Sequence, residues 1–254
     1  MKYICSWSGG KDSTASIILA HENNEPLDLI LFAEVMFDRE KGISGENPEH
    51  IDFIKNTAIP IFESWGYEVR ILRAEKDYLD IFNHIIENPR KHMEHKGMRT
   101  GFPISGSCHV KRDCKEKPIY DFYKSFDEPY IQYVGICVDE PDRLESMHKD
   151  IRKISLLEKY DYTEKMCAGL CREYGLYSPS YKLSKRGGCW FCPNAKLEEH
   201  RYLYNNDRET WERFVALESE INLVHNKWNV FGKTTLKMRN EYLEEGYEQM
   251  KLFE

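Results

Sequence analysis

No apolar run in this chain approaches the ~20 residues that a helix needs to cross a bilayer, so no segment reads as a membrane span. The opening residues, MKYICSWSGGKD, are a short apolar run broken by glycines and charge, which is not the build of a secretion signal. A cytoplasmic location is the expectation. Positive charge is also in deficit: the formal net charge of −7 excludes a general polyanion binder. The ordinary phosphate-loop spacing GxxxxGK(S/T) is missing, as are internal repeats and low-complexity tracts. No cysteine follows Cys192, and the sequence ends GYEQMKLFE.

What is present describes a globular chain. Its 254 residues are 41% hydrophobic and 31% charged, enough to bury a core. Eight cysteines are many for such a chain. Without a secretion signal a disulfide framework is disfavoured, and thiol chemistry or metal ligation is the better reading. Cys5 and Cys137 lie in apolar, strand-like runs and read as small buried hydrophobes. The charge is uneven. Between Arg90 and Lys117 eight basic residues face only Glu94, Asp113 and Glu116. That excess suggests a local anionic ligand, with a solvated charged face as the competing reading.

Periodicity places the elements. Lys2 to Ser6 reads as a buried strand, followed by a glycine turn and a helix from Asp12 to His21 with Ala15, Ile18 and Leu19 on one face. Leu27 to Val35 has the composition of a strand covered on both sides. Pro48 to Trp65 is helical in pattern, and Pro60 must kink or interrupt it. Tyr67 to Leu72 and Tyr130 to Val138 read as strands, and Tyr78 to Ile86 as a helix. Strands alternating with helices imply an α/β fold with a mostly parallel sheet and helices on both faces. Beyond about Glu140 the character changes to charged, helical and cysteine-bearing stretches, with Ile151 to Tyr174 and Leu197 to Val224 as helices. The expected division is an α/β nucleotide-binding domain over residues 1–150 and a helical, cysteine-containing region over 151–254.

Ser8-Gly9-Gly10-Lys11-Asp12-Ser13-Thr14 sits between the first strand and the first helix. Gly9 and Gly10 can take backbone angles closed to other residues and let phosphate oxygens come close. Successive amides then point into one concavity, and the helix N-terminus adds its positive end. Lys11 brings a full charge, Ser8, Ser13 and Thr14 bring hydroxyls, and Asp12 can cap the helix or help hold Mg²⁺. A glycine turn with a polar cap is also a common structural device; the full string at a strand-to-helix junction favours phosphate binding.

SGGKDST resembles the loop of the PP-loop ATP pyrophosphatase superfamily, whose fold is the adenine nucleotide alpha hydrolase-like α/β sheet. Three further segments resemble its phosphoadenylyl-sulfate (PAPS) reductase-like branch: VKRDCKEKP with Arg112, Lys115, Lys117 and Pro118; YVGICVDEPDR with Gly135, Asp139, Glu140 and Arg143; and GLYSPSYKLSKRGGCWFCPNA. Together they span most of residues 1 to 205, in the family's order. The resemblance implies ATP with Mg²⁺ as cofactor, Ser8 to Thr14 and Gly135 around the nucleotide, and Lys11, Asp12, Asp38, Asp139 and Arg143 in or near the chemistry. For the acidic residues and Arg143 a charged loop position is an equal reading.

Cys189-Trp190-Phe191-Cys192, preceded by Gly187 and Gly188, forms a CxxC turn able to present two thiolates to one metal, or to act as a redox pair. Cys108 and Cys114 form a second pair. The four could bind Zn²⁺ or a 4Fe-4S cluster, with Lys111, Arg112, Lys115, Lys185 and Arg186 offsetting thiolate charge. The resemblance implies an iron–sulfur cluster held in these two regions. With Pro118 aligned, however, the family's usual cysteine falls on Val110. Cys167 and Cys171, spaced i, i+4 on one helix, could supply a ligand or simply pack inside.

Three functions remain open. The first is an ATP-dependent transferase that adenylates an acceptor, releases pyrophosphate and delivers sulfur, for example in nucleic-acid or nucleoside thiolation. Its partners would be an anionic acceptor and a sulfur donor protein. The second is a sulfonucleotide reductase, disfavoured because that branch carries a nucleophilic cysteine in its C-terminal tail. The third is a non-enzymatic nucleotide or nucleic-acid binding module with structural zinc, using Trp190, Phe191, Tyr202 and Tyr204 to stack on bases.

Overall fold

The computed structural model describes residues 1–182 and 188–245. Among these the strands are β1 (Lys2–Trp7), β2 (Leu29–Ala33), β3 (Met36–Asp38), β4 (Ile43–Ser44), β5 (Glu68–Leu72), β6 (Arg99–Gly101), β7 (Tyr130–Tyr133), β8 (Lys153–Ile154) and β9 (Leu223–His225). The helices are α1 (Lys11–Glu22), α2 (Pro48–Phe53), α3 (Ile59–Ser64), α4 (Tyr78–Asn83), α5 (Lys117–Ser125) and α6 (Pro141–Met147), then α7 (Leu156–Lys159), α8 (Glu164–Glu173), α9 (Leu197–Asn206), α10 (Arg208–Ala216) and α11 (Leu236–Glu245). None is long and apolar enough to cross a membrane. The chain forms two compact units whose segments alternate: Met1–Glu34, Pro48–Arg73 and Lys115–Gly187 in the first, Val35–Asn47, Ala74–Cys114 and Gly188–Glu254 in the second.

The first unit is built on a parallel sheet in the order β5-β2-β1-β7-β8. Its two faces follow from strand alternation. Cys5, Trp7, Ile30 and Phe32 point to one side, where they join residues of α1 and α8 in the main core. Ile4, Leu29 and Leu31 point to the other, against Phe122 and Tyr123 of α5. Helices therefore cover both faces, as expected of the α/β class. All five residues of β2 are buried, the pattern of a strand sandwiched between layers. Because β1 is flanked by β2 on one side and β7 on the other, the sheet changes winding direction between β1 and β7. The loops after these two strands open at that switch point, where such sheets bind ligands.

Several elements differ from the sequence reading. Helix α1 buries Ser13 through Ala20 all round, rather than on one face, because the helices beside it close its outer side. The stretch from Pro48 continues through a π-helical turn at Ile54–Ala58, which sets Pro60 in the first turn of α3, where a missing N–H is harmless. β7 stops at Tyr133 instead of running to Val138. The chain must bend there, since a Cβ on Gly135 would lie 2.5 Å from the Ser13 amide nitrogen. Between Ile151 and Tyr174 lie β8 and two capped helices: Ser155 accepts the Glu158 amide and Thr163 the Met166 amide. Asp207, accepting the Thr210 amide at 3.1 Å, likewise divides the 197–224 stretch into α9 and α10, and the stretch ends in β9.

The second unit has an antiparallel ribbon of β3 and β4 and a parallel pair of β6 and β9. Its core is aromatic, with Phe37, Tyr78, Phe102, Trp190, Phe191, Trp211, Phe214 and Trp228 fully enclosed.

Glu34, at the end of the first-unit segment, is 1% exposed and accepts hydrogen bonds from Lys55 at 2.9 Å and from Arg73 at 2.9 and 2.6 Å. Burial works against its charge, but these two cations prevail and hold its pKa below the ordinary 4.5. A depressed folded pKa contributes stability above the unfolded value and loses it as pH falls through the folded one. Glu34→Gln is expected to cost about 1–3 kcal/mol at neutral pH. Urea denaturation should show the gap from wild type narrowing below pH 4.5.

Candidate nucleotide site

The loop between β1 and α1 is a cradle of amides. Gly9 has φ +75°, and any side chain there would meet His50 Nε2 at 2.6 Å and Ile54 Cδ1 at 2.7 Å, so glycine is required twice over. The Ser8 amide donates to Ser13 Oγ at 3.1 Å, the Gly10 amide to Ser8 Oγ at 3.3 Å, and the Lys11 amide to the Tyr181 hydroxyl at 3.0 Å. None of these three donors is consumed by a carbonyl in those bonds. The first helical bond of α1 runs from the Thr14 amide to the Gly10 carbonyl at 3.0 Å, so the amides of Lys11, Asp12 and Ser13 precede the i→i−4 ladder. The dipole of α1 adds positive potential there.

Lys11 is the cation of this cradle. Its ammonium lies 2.7 and 3.0 Å from the Asp12 carboxylate oxygens and 2.8 Å from Glu164 Oε2. Burial alone would favour the neutral amine. The two carboxylates outweigh it and hold the pKa above its ordinary value, so Lys11 stays charged. The Glu164 amide in turn donates to Asp139 at 3.2 Å. Asp139 therefore acts on the first turn of α8, and through it on the partner of Lys11.

The other expected residues have specific places. Thr14 Oγ1 accepts the Trp7 indole N–H at 2.9 Å in a buried bond, so its hydroxyl ties α1 to β1. Gly135 presses on the Asp12–Ser13 backbone. Arg143 is exposed and ion-paired with Glu140. Asp38 belongs to the second unit, buried at the end of β3, where it pairs with Arg213 and accepts the Lys41 amide at 3.0 Å. Burial raises the Asp38 pKa, but Arg213 overcomes that and holds it low.

Tyr181, Glu164 and His50, which sequence reasoning did not single out, and three cysteines that it did name complete the site. Tyr181 and Glu164 hold Lys11 at its amide and its ammonium. His50 is buried against Gly9 and shares a 2.8 Å hydrogen bond with Ser178 Oγ. Cys171 donates its thiol to the Lys11 carbonyl at 3.2 Å, and burial pushes its pKa up to about 12. Cys137 and Cys167 stand beside Asp12. Tyr181 had a signal through its place in the GLYSPSYKL segment, and Cys167 and Cys171 through their i, i+4 spacing.

Cys108, Cys114, Cys189 and Cys192 all lie in the second unit, where Cys114 is buried and the other three are half-buried. The CxxC turn is clamped by its neighbours: Trp190 Nε1 donates to the Ser44 carbonyl at 3.0 Å, and Trp228 Nε1 to the Phe191 and Cys192 carbonyls at 3.2 Å. Trp190 and Phe191 are 1% exposed, so neither offers a face for a base. The Lys111 amide points at Cys108 Sγ at 3.4 Å, a contact suited to a metal-bound thiolate. Among the described residues no three of these four cysteines bring their sulfurs within 4.8 Å of one another; the group that meets that spacing is Asp12, Cys137 and Cys167. Lys185, Arg186 and Gly187 lie outside the described residues.

The basic segment also lies mainly in this unit. Arg90 and Arg112 join Lys76 and five histidines, His84, His92, His95, His109 and His225, along a cleft of about 560 Å³. Burial, then the charge of Arg112, lowers the His109 pKa, and burial followed by His95 and His109 lowers that of His225. Lys76, Arg90 and Arg112 give the cleft permanent positive charge.

No protein-family model and no curated protein matches the chain. Among solved structures, the U34-tRNA thiolase NcsA from Methanococcus maripaludis with its [4Fe-4S] cluster aligns at 15% identity and a TM-score of 0.39, over 99% of this chain and 75% of that one.

Two glycine substitutions separate the cradle from ordinary helix. Gly9→Ala is expected to cost about 1–3 kcal/mol through overpacking. Gly169→Ala, in α8 with open space around its Cα, should instead stabilise by about 0.4–1 kcal/mol. Urea midpoints of the two variants should move in opposite directions.

Proposed function

We propose that this chain is an ATP-dependent transferase that adenylates an anionic acceptor, releases pyrophosphate and then passes sulfur to that acceptor. One observation carries the nucleotide part. A charged, largely buried lysine sits in a turn whose amides at Ser8, Gly10 and Lys11 donate to hydroxyl oxygens, those of Ser13, Ser8 and Tyr181. Phosphate oxygens can replace those hydroxyls without breaking any backbone ladder. The resemblance of SGGKDST to the PP-loop supports the same reading.

The chemistry follows from where charge develops. A nucleophilic oxygen of the acceptor attacks the α-phosphorus of ATP as the bond to the bridging oxygen of pyrophosphate breaks, and that oxygen keeps the electron pair. The amides and Lys11 stabilise the leaving charge in a site that need not reorganise. Asp12 is the residue that would hold Mg²⁺, which supplies further charge neutralisation on the phosphates. Glu164 neutralises Lys11 until phosphate competes for it. In the second half, a sulfur nucleophile displaces the adenylyl group and AMP departs. The cleft lined by Lys76, Arg90 and Arg112 offers the acceptor a cationic surface.

Cys108, Cys189 and Cys192, with Cys114, are the residues that would hold an iron–sulfur cluster, which could bind and deliver the sulfur atom. The clamp of Trp190 and Trp228 on the CxxC turn would fix its two thiolates before any cluster arrives.

Two measurements bear on these steps. Lys11→Ala should lower acceptor-dependent pyrophosphate release from ATP by about 10²–10³-fold, while Arg143→Ala stays near wild type; equal effects of the two would remove Lys11 from its role. Anaerobically purified protein should be brown, with a broad visible band lost in Cys189→Ala and Cys192→Ala. A colourless chain after reconstitution with iron and sulfide would reject the cluster.

A further inference from the structure

Cys137 and Cys167 face each other across the first unit, both fully buried. Cys137 comes from the loop after β7, tied down by its own amide to Glu140 at 3.2 Å and by the Val138 amide to the Tyr162 carbonyl at 3.1 Å. Cys167 comes from the first turn of α8, and its amide bonds the Thr163 carbonyl at 3.0 Å. Their sulfurs are 3.6 Å apart, and Cys137 Sγ is 3.5 Å from Asp12 Oδ1. All three ligand atoms lie within 4.8 Å of one another.

These distances have a definite chemical meaning. Around a tetrahedral Zn²⁺ with bonds of ~2.3 Å to sulfur and ~2.0 Å to oxygen, two thiolates stand about 3.8 Å apart, and a thiolate and a carboxylate oxygen about 3.5 Å. The pair of spacings in this chain already matches both. We propose that Asp12, Cys137 and Cys167 form a zinc site with three protein ligands and one open position.

Charge supports the assignment. Two thiolates, one carboxylate and Zn²⁺ leave a single negative charge, and the Lys11 ammonium stands 2.7 Å from the same Asp12 oxygen to balance it. Each thiol gives its proton to solvent as the metal binds, so uptake is proton-coupled. Thiolate ligands select a soft or borderline cation over Mg²⁺. The Cys171 thiol is spent on the Lys11 carbonyl, which leaves the fourth position to water or to an oxygen from outside. The site is argued from ligand geometry and shares Asp12 with the nucleotide cradle, and its test reads metal uptake rather than adenylation.

The test uses the full chain, reduced, freed of metal with a chelator and kept anaerobic. The double variant Cys189→Ala, Cys192→Ala removes the CxxC thiols from the readout. In that background, one equivalent of Co²⁺ should give intense visible bands of tetrahedral thiolate ligation. X-ray absorption of the zinc form should show two sulfur and two lighter neighbours. Adding Cys137→Ala or Cys167→Ala should abolish the Co²⁺ bands, with circular dichroism reporting the fold. Should those variants unfold, a Zn²⁺-induced rise in the melting temperature of the Cys189→Ala, Cys192→Ala protein serves instead. Co²⁺ bands that survive loss of Cys137 would overturn the site, as would absence of any Zn²⁺-dependent stabilisation. Recovery of a Cys137–Cys167 disulfide with no metal uptake would overturn it too, and would make the pair a redox couple.

Discussion

The carboxylate of Asp12 is the junction on which the first unit's site depends. It holds the Lys11 ammonium, lies within reach of the Cys137 thiol, and belongs to the helix turn against which the Gly135 backbone is pressed. Two chain segments far apart in sequence thus meet at a single residue. The meeting is possible because the parallel sheet changes direction between β1 and β7, so the loops after both strands emerge side by side. Opposite charges alone would not fix such a site, since exposed ion pairs are worth little. Here the amide bonds at Tyr181 and the packed glycines restrict the geometry, and the ion pairs fill it.

The two halves of the molecule solve different problems. In the first, backbone donors are kept available by pairing them with hydroxyls, whose hydrogen bonds are readily exchanged. In the second, indole donors and a buried histidine grip the carbonyls around the CxxC turn: His200 Nε2 lies 3.0 Å from the Trp190 carbonyl. Satisfied polar groups inside an aromatic core make a rigid mount. Such a mount holds its turn in one position, whereas amides paired with hydroxyls can change partners.

Much of this was legible in the chain. The strands at Lys2, Leu29 and Glu68 follow from apolar runs, and the cradle from glycines placed between a strand and a helix. The identity of the residues that close the cradle was not. Glu164 and His50 carry no local signal, since each is brought to Lys11 or Gly9 by the winding of the sheet. Cys137 shows the limit most clearly. In an apolar run it reads as a small hydrophobe, and it is indeed buried, yet its sulfur faces a carboxylate and a second thiol. Burial and reactivity are separate properties, and periodicity reports only the first. The end of β7 was misjudged for a related reason: the requirement that bends the chain at Gly135 comes from α1, more than a hundred residues earlier.

The alternation of segments has a consequence for how the chain can be made and inherited. The backbone passes between the two units five times, so no single cut yields a complete copy of either. Each unit closes loops through the other, and the contacts that finish one must wait for sequence that builds its neighbour, which favours slow, concerted folding over stepwise assembly. A half-gene cannot carry either unit's core into another protein, and the amide cradle and the clamped cysteine turn must therefore be gained, kept or lost together.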